Sequence, residues 1–156
     1  MTKFLLAVHV LAAIVAVGPV TVAASMFPPA ARRALAEPGE VRAAGTVRLL
    51  HRICRVYAVV GAAVPVFGFA TARQMGVLGD AWLIASVVLT ALAAVVLGVL
   101  VLPGQERLIE AVDGESSGEV TRAASVRLAM VTGVFNLLWA TVTVLMIVRP
   151  GSTTGA

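Results

Sequence analysis

The sequence predicts an all-α fold: a transmembrane four-helix bundle, antiparallel and up-down, with kinks in helices one and two. Two observations carry that reading. Four runs free of Asp, Glu, Lys and Arg, Phe4–Met26, Val56–Ala72, Ala81–Leu102 and Leu128–Val148, extend for 23, 17, 22 and 21 residues. At 1.5 Å per residue, ~20 apolar residues cross a hydrocarbon core of about 30 Å. Composition agrees: 60% of residues are hydrophobic, against roughly 45–50% in soluble domains, and mean hydropathy is +0.99. The remaining pieces are too short for a soluble domain, which needs on the order of 50 residues. The chain reads as one membrane domain over 1–156, with spans near 4–26, 49–72, 81–102 and 125–148 and a disordered tail over 150–156.

Span one follows Lys3 and is longer than the ~7–15 residues of a secretory h-region, so it is expected to stay as a helix. Pro28-Pro29 should end it, because proline lacks an N–H and pushes the preceding residue out of the α region. A turn is expected at Pro38-Gly39. Span two should begin ahead of its apolar run, since Arg48, Arg52 and Arg55 recur at i, i+4 and i+7 and share a helical face. These arginines form either a collar that snorkels to headgroups or a site for an anionic ligand or lipid headgroup. Pro19 and Pro65 should kink helices one and two. Gly76 and Gly79 mark a tight hairpin to span three, with Trp82 as an interface anchor. Span three should stop at Pro103-Gly104. An acidic loop follows, with Glu106 and Glu110 on a short helical extension and a Gly114–Gly118 linker leading to span four.

Charge sets the expected orientation. Arg32, Arg33, Arg42, Arg48, Arg52 and Arg55 lie in or beside loop one, and Arg107, Arg122 and Arg127 in or beside loop three. The opposite side holds Lys3, Arg73 and Arg149. Lys and Arg favour the cytoplasmic side of short loops, which places loops one and three in the cytoplasm of a multi-pass plasma-membrane protein with both termini outside. The same distribution makes membrane lipids, not nucleic acid, the partner of the net +4 charge. The Ala, Gly and Val content suits close helix approach in a homo-oligomer or larger membrane assembly.

Polar residues within the spans are the functional pointers. His9 either makes a structural hydrogen bond to a nearby helix or ligates a haem (such as haem b) or a metal. His51 lies at the other end of the bundle, roughly 20 Å away in depth, so the two histidines should not share one iron. His51 and Cys54 sit at i and i+3, but Arg52 and Arg55 beside them repel a cation, and no metal site is expected. Thr90, Thr132, Asn136 and Thr143 should face the interior and hydrogen-bond across helices, with Asn136 as an alternative lining of a permeation path. The four charge-free runs contain no Asp or Glu to orient a histidine, so no catalytic residue is assigned.

The segment Lys3-Phe-Leu-Leu-Ala-Val-His9-Val-Leu-Ala-Ala, then Val17-Gly18-Pro19, with Leu49-Leu50-His51-Arg52 at the start of span two, resembles a bacterial four-span integral membrane family of unknown function. That family is similar to the copper-resistance D proteins and, more remotely, to the bacterial membrane protoporphyrinogen oxidase. The resemblance implies a haem or copper role for His9. From the residues themselves the expected role is a non-enzymatic accessory or scaffold subunit. The alternatives are a haem- or copper-associated protein and a small transporter or permeation subunit.

Overall fold

The computed structural model of the chain describes residues 2–114 and 118–151. Among the described residues are six α-helices and one π-helical segment, which stack into four rods. These are α1 (Thr2–Ala36), α2 with α3 (Val41–Gly61, Ala63–Met75), α4 through a π segment to α5 (Ala81–Val95, Val96–Val101, Leu102–Val112), and α6 (Gly118–Val148). All four are long and apolar enough to cross a membrane. The all-α four-helix bundle expected from the sequence is the observed fold. Residues 115–117 of the acidic linker and 152–156 of the tail lie outside the described residues.

α1 is the central rod. It packs along α2 and α3 on one side and against α6 and α5 on another, while α4 leans on α6. The main core lies toward the end carrying loops one and three, around Phe27, Val47, Val101 and Leu108, all almost fully buried. The outward surface is greasy: Phe4, Leu137 and Ile147 are each more than 70% exposed. Lipid tails are as apolar as these side chains, so van der Waals fit and interhelical hydrogen bonds hold such a bundle together.

Two expected helix ends are corrected. α1 does not stop at Pro28-Pro29 but runs through both prolines to Ala36. Phe27, Pro28, Ala31 and Ala34 are all buried there, and Phe27, Ala31 and Ala34 belong to the main core. Packing against α2 and α5 outweighs the lost N–H groups. Nor does span three stop at Pro103-Gly104. The helix widens into the π segment, where the Leu102 N–H bonds back to the Leu97 carbonyl, and Pro103 falls in the first turn of α5.

α1 stays helical through Pro19. The second rod breaks at Ala62, whose N–H reaches only three residues back, to Val59. Pro65 supplies no N–H to the Gly61 carbonyl, which accounts for a break at that point. The hairpin to α4 forms as expected. Gly76 (φ 72°) closes α3, its N–H bonding to the Arg73 carbonyl and the Val77 N–H to that of Ala72, a Schellman ending. Trp82 is buried against Ala72, Leu83 and Val77. Its indole N–H donates to Asp80 at 3.0 Å, and the Arg149 guanidinium lies 5.7 Å from its ring centre. Trp82 therefore ties the third and fourth rods together at the terminal end.

Candidate functional site

The densest polar assembly sits where α2 meets α5, at the end bearing most of the arginines. His51 and Cys54 are on successive turns of α2 and face inward, at 8% and 0% exposure. α5 supplies Gln105, also fully buried. The His51 Nδ1–H donates to Gln105 Oε1 at 2.9 Å, and the Gln105 amide N–H donates to Cys54 Sγ at 3.4 Å. With the proton on Nδ1, His51 Nε2 carries a lone pair, 3.6 Å from Glu106 Oε1. An ion pair forms there only when the ring takes a second proton. Next to this chain, Arg48 hydrogen-bonds and ion-pairs with Asp113. The pair joins the start of α2 to the end of α5 and so sets loops one and three at the same end of the bundle.

The three arginines that the sequence placed on one face therefore divide. Arg48 has an acidic partner. Arg52 and Arg55 line an open groove with His51, Val56 and Val59, about 520 Å³ in volume. A second open groove of about 480 Å³ lies on α6, lined by Arg122, Ala123, Val126, Arg127 and Met130.

His9 occupies a separate site in the other half of the bundle. It is 8% exposed, and its Nδ1–H donates to the Val64 carbonyl at 3.0 Å. Gly68 makes room for it: a Cβ at that position would stand 2.8 Å from His9 Cε1. Val64 lies 13 residues beyond His51 along the second rod, about 20 Å at helical rise. The two histidines thus engage different partners at different depths, as the sequence suggested. Among the described residues no three His, Cys, Asp or Glu side chains gather as a metal group would require.

The remaining intramembrane polar residues behave less uniformly than expected. Of Thr90, Thr132, Asn136 and Thr143, Asn136 alone is seen to reach another helix, its amide N–H donating to Ser25 Oγ at 3.0 Å. Thr90 and Thr143 do not bond across helices. Their hydroxyls donate to the carbonyls of Ser86 and Trp139, four residues back, and Thr143 is exposed. A short hydroxyl side chain on a helix reaches its own preceding turn more easily than a neighbour. Thr132 is buried, yet its hydroxyl, like that of Ser125 and the Asn136 carbonyl oxygen, has no partner.

Sequence reasoning missed Gln105, Asp113, Val64 and Gly68 as members of these sites. One signal was available for Gln105. Val101, Gln105, Leu108 and Ala111 follow a helical spacing that would have shown as one inward face had the helix been carried past Pro103. Comparison with protein-family models, curated proteins and solved structures finds no match.

Proposed function

We propose that this chain is a non-enzymatic integral membrane protein, an accessory or scaffold subunit that works through binding at its arginine-bearing end. The observation that carries this reading is the use made of its two histidines. Each gives its Nδ1–H to a neighbouring element, His9 to the Val64 carbonyl and His51 to the Gln105 amide oxygen. The titratable groups inside the bundle act as fasteners between helices. The nine arginines at or beside loops one and three favour a cytoplasmic position for that end and an outer position for both termini.

A second reading has one observation in its favour. With its Nδ1–H on a backbone carbonyl, His9 keeps its Nε2 lone pair, and this is the arrangement by which proteins orient a ligating imidazole. The donor set argues against a closed copper site, which needs several ligands together; it leaves His9 as a single axial ligand for haem. Purified protein in detergent distinguishes the two. The accessory reading expects no absorbance in the Soret region, negligible copper or iron, and no spectral change on adding hemin or cupric ion. A Soret band lost in His9→Ala overturns it in favour of haem binding.

A further inference from the structure

We propose that the groove formed by His51, Arg52, Arg55, Val56 and Val59 is a seat for one anionic phospholipid, its phosphate between Arg52 and Arg55 and its first acyl carbons along Val56 and Val59. The proposal goes beyond the accessory reading and stands whatever the absorbance spectrum shows. It begins from the charges. Among the described residues Arg48 is neutralised by Asp113, and Glu106 faces His51 from α5, whereas Arg52 and Arg55 make no ion pair. Both are exposed and three residues apart, so their guanidinium groups rise from one face of α2. Guanidinium groups bind phosphate oxygens in bidentate fashion, and two cations side by side match one phosphodiester.

The lower part of the groove selects the source of that phosphate. Val56 and Val59 continue the same wall toward the middle of the second rod, 51% and 77% exposed. From Arg52 to Val59 is about 10 Å along the axis, the step from headgroup to upper acyl chain. A free phosphate ion gains nothing from an apolar wall, whereas a lipid buries its chain there. His51 closes one side, its ring held by Gln105. The groove is thus cationic at one end, apolar at the other, and aligned with the rod that crosses the bilayer.

The test uses the full chain in detergent and in phosphatidylcholine nanodiscs. Bound lipid is counted by native mass spectrometry, and the thermal midpoint is followed as phosphatidylglycerol is added. Two double variants remove the same charge from the same end: Arg52→Gln with Arg55→Gln, and Arg32→Gln with Arg33→Gln, the latter pair exposed on α1. Losing both charge-assisted guanidinium contacts to one phosphate, the first should weaken phosphatidylglycerol binding by roughly tenfold or more. The second should change it less than about twofold. Val56→Ser with Val59→Ser, which keeps both arginines, should also weaken it. Equal losses in the two arginine variants mean diffuse attraction and overturn the site. So does inorganic phosphate that matches the stabilisation by phosphatidylglycerol, which would make this a free-anion site. Wild-type protein without preference for phosphatidylglycerol over phosphatidylcholine ends the proposal.

Discussion

The two halves of this bundle are held by different means. Toward loops one and three, α1, α2 and α5 enclose large side chains, Phe27 and Leu108 among them, together with the His51–Gln105–Cys54 chain. In the other half, α3 rests mainly on α1, through small residues and one hydrogen bond from His9 to the carbonyl of Val64. The break at Ala62 separates the two regimes within a single rod. The first half should resist unfolding, and the second should open first, because local stability follows the density of buried contacts.

Phe27 gives that comparison its largest test. It is fully buried in the main core, and removing a buried phenyl ring commonly costs about 3–5 kcal/mol, lost burial together with the cavity left behind. Phe27→Ala should lower the thermal midpoint in detergent more than any single change in the α3 half. If it does not, the loop-one end is not the more stable region. Gln105 comes next. Gln105→Leu keeps the volume but leaves the His51 Nδ1–H without an acceptor in a buried position, at about 1–3 kcal/mol. The thermal midpoint in detergent should fall accordingly, by less than in Phe27→Ala.

Much of the fold was legible in the sequence, for a physical reason. A hydrocarbon layer demands long uninterrupted apolar helices, and four charge-free runs announce them. The hairpin at Gly76 and the break near Pro65 were legible too, because glycine and proline act on the backbone locally. The passage of α1 through Pro28-Pro29 was not. Local rules stop a helix there, and only the burial of Phe27, Ala31 and Ala34 against α2 and α5 carries it on. The same kind of error at Pro103 hid Gln105 and with it the partner of His51. Thr90 and Thr143 failed differently: residue type and spacing locate a hydroxyl on a helix face but do not say whether it bonds to a neighbour or to its own preceding turn.

The smallest expected effect is also the most specific to the α3 half. Interhelical hydrogen bonds in membranes average about 0.6 kcal/mol and reach about 1.7, so His9→Ala should destabilise within that range. Gly68→Ala alone should cost at least as much. Its new Cβ would stand 2.8 Å from the His9 ring, so the ring must move and stretch its bond to Val64. In a His9→Ala background that obstacle is gone. Alanine is the better helix former by roughly 0.5–1 kcal/mol, so there the same glycine substitution should be neutral or stabilising. A change of sign between the two backgrounds is the signature of direct coupling. Additive effects across the cycle would mean that the glycine serves something other than the histidine.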